Sequence, residues 1–546
     1  MDLTVKQVSS LEKIRLTGIG NVKSFRRKTV MRGQFFSYQI AVSSSNSTKL
    51  NFKINSKLKK NISVYHVKNV IMDLATYEGA DDDYLEKNSA LMPDMLLPAE
   101  NDQIKLNGDT AVIWINVKVP ENIAAGEYTI TTTLTAVNPF EETQVKQVLY
   151  LDVIDANIGE QQTLFTQWFY PDCIADIHNV SIYSKAHWSL IDKYITLACE
   201  LGINTILTPI ITPPLDTAEG HTRPCTQLVK IEKIGEKFDF DFTLLGKWIT
   251  LCHKCGIQYF EMCQLFSQWG LKYAPNIRIK ENGKEYYMFG WHTEANSEAY
   301  TDFLKQFLPA LMAYLQKVGI KDHCFFHISD EPDTPDLEAY RAAYDIVKPL
   351  IDGRPILDAH SRYEFYENGL VDIPVTASNH IDEFFEHNVA NQWVYYCCGQ
   401  FKDVGNRFIS MPSYRNRILG LQMYKYNVKG FLHWGYNFYN SQFSLEKINP
   451  YVTTSADKAF PSGDPFSVYP TIDGVTPSLR GFVFKEALSD IEVCRKLEEY
   501  IGREKVIELI DTAAGMNVTF ANFPRNTTFI PDLIEQMEIE IKRHNT

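Results

Sequence analysis

The stretch Cys324-Phe325-Phe326-His327-Ile328-Ser329-Asp330-Glu331-Pro332 decides how this chain folds. Its first residues form a short, mostly apolar run of the kind that makes a buried parallel strand, and it ends in two consecutive carboxylates just before a proline. Immediately upstream, Tyr300, Phe303, Leu304, Phe307, Leu308, Leu311 and Leu315 recur at helical spacing, and Gly319 stands where a helix C-terminal cap is expected. A helix leading into a buried strand is one step of a β-α repeat.

The same rhythm runs in both directions from this point. Eight strands are expected at 164–170, 205–209, 259–264, 324–329, 355–359, 375–379, 392–397 and 430–436, and Gly202 and Gly256 repeat the helix ending. No glycine fingerprint for a phosphate opens the first unit, so a closed (β/α)8 barrel fits better than an open doubly wound sheet. Beyond Pro477, Phe484, Leu488, Ile491 and Leu497 mark a closing helix, and two shorter helices are expected near 505–512 and 532–544.

Before about residue 155 the period changes to two, as in Gln34-Phe35-Phe36-Ser37-Tyr38-Gln39-Ile40 and Ala111-Val112-Ile113-Trp114-Ile115-Asn116-Val117. With further strands expected at 126–136 and 144–154, this region reads as an antiparallel β-sandwich. The expected fold class is therefore multidomain β and α/β: a sandwich at 1–158, a TIM-type barrel at 159–502 and a helical extension at 503–546.

Composition narrows the function classes. The 546 residues are 45% hydrophobic and 22% charged, and no segment approaches the roughly 18 unbroken apolar residues of a membrane span. A net charge of -13, spread along the chain, argues against nucleic acid as a partner. The aromatic share of 13% suits stacking on sugar rings. Ten cysteines form no dense framework, and the start Met1-Asp2-Leu3-Thr4-Val5-Lys6 lacks the pattern of a secretory leader, so a cytoplasmic location is expected. Neither cofactor nor metal is expected, since Cys252-His253-Lys254-Cys255 lies inside an apolar-periodic helix with no second ligand pair nearby.

In barrels of this kind the working residues stand at the C-terminal strand ends. Asp330 and Glu331 arrive there together, and the turn before Pro332 can direct both at the mouth. Their alternative use is to cap the helix that starts at Pro335-Asp336-Leu337. A glycosidase with two opposed carboxylates needs a second acid across the sugar, but Gln392-Trp393-Val394-Tyr395-Tyr396-Cys397-Cys398 and Phe431-Leu432-His433-Trp434-Gly435-Tyr436-Asn437 contain none. That absence favours the substrate's own 2-acetamido group as nucleophile, with Glu331 as acid/base and Asp330 holding the acetamido N–H. Tyr395, Tyr396 and Tyr436 are candidate donors to the acetamido oxygen, and Trp393 and Trp434 candidate sugar platforms. Trp168, Glu261, His327 and Asn379, on the first, third, fourth and sixth strand runs, complete the substrate-binding candidates.

The segments His-Ile-Ser-Asp-Glu-Pro at 327–332, Gly430-Phe431-Leu432-His433-Trp434-Gly435-Tyr436-Asn437 and Pro477-Ser478-Leu479-Arg480 resemble the domain of unknown function 4091 family, which is related to glycoside hydrolase family 123. The resemblance implies a β-N-acetylgalactosaminidase with a sandwich, a barrel and a substrate-assisted retaining mechanism acting on a glycan or glycoconjugate. It carries Asp330 over as the acetamido-orienting residue and Glu331 as acid/base, and it places Trp434, Tyr436 and Asn437 near the site. Val493-Cys494 departs from the family's acidic-aromatic pair in the closing helix. Two rivals stand beside this reading: a non-catalytic carbohydrate-binding protein, and a two-carboxylate glycosidase recruiting Glu261, Asp382 or Glu383.

Overall fold

The computed structural model describes residues 3–44, 47–99, 102–107, 110–137 and 142–545. Two five-stranded sheets form the N-terminal, β-rich region. One orders Leu3–Ser9, Phe35–Ser44, Thr110–Lys118, Ile62–Met72 and Ala90–Pro98; the other orders Arg27–Arg32, Glu142–Asn157, Gly126–Val137, Ser47–Asn55 and Gln103–Asn107. The period-two pattern explains how they meet: Ile113, Ile115 and Val117 join Tyr38, Ile40, Leu134 and Leu151 in a core between the sheets. Trp114, on the opposite face of the same strand, belongs to a second and larger core. The expectation of an all-antiparallel region is corrected at one pair, because Arg27–Arg32 runs parallel to Glu142–Asn157.

Eight parallel strands follow: β1 (Leu164–Gln167), β2 (Thr205–Thr208), β3 (Tyr259–Met262), β4 (Cys324–Phe326), β5 (Leu357–Ala359), β6 (Ile373–Ala377), β7 (Trp393–Tyr395) and β8 (Gly430–His433). Their order, β4-β3-β2-β1-β8-β7-β6-β5, curls into a barrel-like sheet whose edges meet at the single bridge Phe326–Ile356. A helix follows every strand, from Lys185–Glu200 after β1 to Leu479–Ile501 after β8. Gly202, Gly256 and Gly319 take φ of 93°, 113° and 80°, which lets the chain reverse where a Cβ would be strained.

Most ladders stop a few residues short of the expected strand ends, because there the backbone turns its side chains toward one opening. Two excursions shape that opening. The segments after β2 and β3 share a four-stranded sheet of Lys230–Ile234, Lys237–Asp241, Ile277–Glu281 and Lys284–Phe289, which the sequence reading did not foresee. Its signal was present in Asn282-Gly283, at φ 50° and 79°, the turn pair favoured in tight hairpins.

Candidate active site

The β4 ladder ends at Phe326; beyond it the backbone of His327 and Ile328 still bonds the segment leaving β3, and its other side leans on β5. The Asp358 carboxylate accepts the N–H groups of Ile328 and Ser329 at 2.8 and 3.3 Å, the Tyr340 hydroxyl at 2.6 Å and His327 Nδ1 at 2.9 Å. It thereby supplies at the seam the acceptors that a paired strand would provide. Then Glu331 adopts φ 47°. This left-handed turn breaks the alternation of the strand, so two adjacent acids both reach the pocket. They do not cap the following helix; Asp333 does that, in a capping box with Asp336.

The pocket spans about 630 Å³, part of which is open solvent. Asp330 sits low in it at 7% exposure, with Glu331 at the exposed rim. Asp330 accepts a hydrogen bond from the Gln268 amide, and Glu331 accepts the Tyr395 hydroxyl at 2.5 Å. Desolvation and then the Glu331 charge push the Asp330 carboxyl well above the usual range, against the Gln268 bond. The Glu331 carboxyl is raised by desolvation and held back by the Tyr395 bond. Each carboxyl is raised by desolvation and resists ionising beside the other, so the two titrate as a coupled pair in which sharing a proton is favoured.

Beneath the doublet lies His327, with Glu261 Oε2 at 3.0 Å from Nε2. Both ring nitrogens therefore donate to carboxylates. Burial works against charging the ring, but the hydrogen bonds and charges of Asp358 and Glu261 outweigh it and push the His327 pKa up to about 9. Glu261 Oε2 also accepts the Trp168 indole N–H at 3.1 Å, which fixes the ring that lines the pocket above.

Of the residues singled out from sequence, Asp330, Glu331, Tyr395, Trp168 and Trp434 share the pocket. Trp434 is anchored by its indole N–H on Asp464 at 2.9 Å, whose carboxyl burial pushes up to about 7. The others lie off it. His327 and Glu261 are buried below the acids and reach the pocket only through Trp168 and Asp330. Trp393 points inward one layer lower and packs edge-on against Phe325. Tyr396 points out of the sheet to Asn416, at 2.8 Å. Tyr436 donates to the Tyr194 carbonyl at 2.8 Å, and Asn437 clasps both backbone groups of Tyr170. Asn379 is exposed and accepts from Gln400. Asp382 and Glu383 begin an outlying short helix, Asp382–Glu386.

Sequence reasoning missed Asp358, Gln268, Trp269 and Asp216. Asp216 also lines the pocket; burial pushes its carboxyl up to about 6, against the Phe443 N–H and the Arg223 charge. The wall further includes Cys397 and Cys398, which are free thiols, as are the other eight cysteines. Among the described residues no group of three or more His, Cys, Asp or Glu is placed to hold a metal ion, and no helix is long and apolar enough to cross a membrane.

Paired acids at the C-terminal rim of a barrel-like sheet, with indole rings in the wall, are groups of the kind a glycosidase site uses. Residues 168–497 match the glycoside hydrolase 123 catalytic domain, and residues 23–136 match the glycoside hydrolase 123 N-terminal domain. The chain belongs to glycoside hydrolase family 123. Among solved structures, a family 123 glycoside hydrolase from Clostridium perfringens, described for glycolipid glycan hydrolysis, is similar over 100% of this chain and 97% of that one, with 17% identity and a TM-score of 0.74. β-Glucuronidases from Parabacteroides merdae (10% identity, 89% of this chain, 52% of that one) and Bacteroides uniformis (12%, 84% and 48%) superpose only at TM-scores of 0.32 and 0.30. No curated protein matches.

Proposed function

We propose that the protein releases terminal β-linked N-acetylgalactosamine with retention, the substrate's acetamido oxygen acting as nucleophile. The observation that carries this reading is the adjacency of Asp330 and Glu331 in one pocket, each held by a different partner. Asp330 accepts the acetamido N–H, which favours its charged form and leaves the shared proton on Glu331. The acetamido oxygen attacks C1 while Glu331 protonates the departing glycosidic oxygen, giving an oxazolinium ion. Glu331, now a carboxylate, deprotonates a water that reopens this ion at C1. Tyr395 serves Glu331, and Trp168 and Trp434 offer faces to the sugar.

The galacto configuration follows from what the sequence resemblance implies, and the Clostridium perfringens relative, described for glycolipid glycan hydrolysis, supports a glycoconjugate substrate. We read the architecture as a sandwich at 1–158, a (β/α)8 barrel at 159–502 and a helical extension at 503–546, and the compartment as a reducing cytosol, in keeping with ten free cysteines.

Aryl β-N-acetylgalactosaminide, β-N-acetylglucosaminide and β-galactoside assayed side by side test the reading. The first is expected to be the best substrate, with a β-configured product by NMR, and the plain galactoside to be inert. Asp330→Asn and Glu331→Gln are each expected to lower kcat by about 10²- to 10⁴-fold in folded protein. Comparable turnover of the plain galactoside would instead favour a two-carboxylate mechanism, for which Asp216 is the acid available in the pocket.

A further inference from the structure

The proposed reaction uses two acids, yet the pocket holds a third. Asp216 comes from the segment leaving β2 and is buried at 7% exposure. Its position is fixed from several sides. Its N–H donates to Gln268 Oε1 at 2.6 Å, its carbonyl accepts the Ser444 hydroxyl at 2.7 Å, and its Oδ2 accepts the Phe443 N–H at 3.1 Å. Oδ1 has no donor among the described residues. Gln268 passes the constraint on, since its amide N–H donates to Asp330.

The backbone around this pocket is strained to an unusual degree. Asp216, Trp269, Glu331, Phe443 and Ser444, none of them glycine, take φ of 41°, 53°, 47°, 60° and 54°. They come from four separate segments that bond or pack on one another around the acids; the Trp269 ring, for example, meets the Phe443 ring edge-on at 5.7 Å. Strain of this kind persists where surrounding contacts over-determine it, and it gathers at sites that hold a ligand.

Order around the rim assigns the third acid. From β2 through β3 to β4 the chain places Asp216, then Gln268, then Asp330, with Glu331 beyond, turned to Tyr395 on β7. A hexose presents C1, C2 and C3 consecutively around its ring. With the leaving oxygen at Glu331 and the C2 acetamido group at Asp330, the substituent on C3 comes next, on the Asp216 side. We propose that Asp216 is a specificity-determining residue whose carboxylate accepts the 3-hydroxyl of the bound 2-acetamido sugar, making a free 3-hydroxyl a requirement at the reacting residue. The assignment rests on the reading of Asp330 and Glu331 given above. A sugar substituted at O3 loses this donor and meets a wall that Phe443 and Gln268 hold in place.

The test compares an aryl 2-acetamido-2-deoxy-β-galactoside with its 3-deoxy counterpart on wild type, Asp216→Ala and Asp216→Asn, each checked for folding by circular dichroism. Wild type is expected to prefer the parent by about 10- to 100-fold in kcat/KM, the worth of one hydrogen bond to a charged acceptor. In Asp216→Ala the preference collapses to within about threefold, and in Asp216→Asn, which keeps an acceptor but loses the charge, it is intermediate. Should the alanine variant not fold, the asparagine ratio decides. An unchanged ratio in the folded variants overturns the role of Asp216 and leaves the proposed mechanism standing. Loss of turnover on both substrates as complete as in Glu331→Gln makes Asp216 the nucleophile, which overturns both. Failure of wild type to hydrolyse the parent sinks the underlying reading first.

Discussion

Tyr395 shows how one hydroxyl sets the behaviour of a catalytic acid. Its hydrogen bond favours the charged form of Glu331, against the desolvation that raises the carboxyl. Removing it in Tyr395→Phe leaves desolvation unopposed, so the Glu331 pKa rises. Because the acid works in its protonated form, the basic limb of kcat/KM is expected to move to higher pH, and a limb that stays in place or moves down would separate Tyr395 from the acid. Such detail was only partly legible in the sequence. Strand alternation separates Trp393 and Tyr395, which point inward, from Tyr396, which points outward to Asn416, a distinction the sequence reading did not draw when it named all three. Alternation also carries no depth, which separates a pocket residue from a core one. Trp393 lies at the lower layer, where Gly430 has no Cβ because the indole occupies that space, at 2.3 Å from where the atom would stand. Asp216 and Gln268 carried no signal, since polar loop residues take their meaning from the segments they meet.

The seam between β4 and β5 has one bridge, and the buried group of His327, Asp358, Glu261 and Tyr340 serves in place of a ladder. The His327 pKa is raised from an unfolded value of about 6.5 to about 9 by bonds to Asp358 and Glu261 that overcome burial. The folded chain therefore binds the extra proton between these pH values, and the stability this contributes is complete below about 6.5 and lost as pH rises through about 9, on the order of 3 kcal/mol in all. The melting temperature of wild type is expected to fall across that window, and that of His327→Gln to fall distinctly less; parallel curves would show that the ring is not charged. At this scale most of the sheet was legible, because short apolar runs between amphipathic helices mark each strand. The seam was not, because Asp358 reads as an ordinary polar residue in an apolar run.

Over the whole molecule, the change of period near residue 155 marks a boundary in the sequence that the packing crosses. The larger core contains Trp114, Met92, Met95 and Leu96 from the β-rich region together with Phe165, Phe431 and Phe484 from the barrel-like sheet and its closing helix. Buried ion pairs cross the same boundary: Arg480 meets Asp94 at 2.7 Å with both side chains at 2% exposure or less, and Lys28 meets Glu538 from the last helix, Phe529–His544. A shared core of this kind couples the two regions, so calorimetry is expected to record one cooperative transition rather than two. Arg480→Met is the sharper probe, because it removes the ion-pair partner and leaves the Tyr469 hydroxyl as the remaining hydrogen-bond donor to buried Asp94. An uncompensated buried charge costs about 3–5 kcal/mol, or a fall of about 3 to 5 °C in the melting temperature of a chain this long. Because Asp94 stands in the β-rich region and Arg480 in the closing helix, that fall is expected to displace the single transition as a whole. A variant whose trace splits, with one half melting at the wild-type temperature, would show that the two regions fold independently.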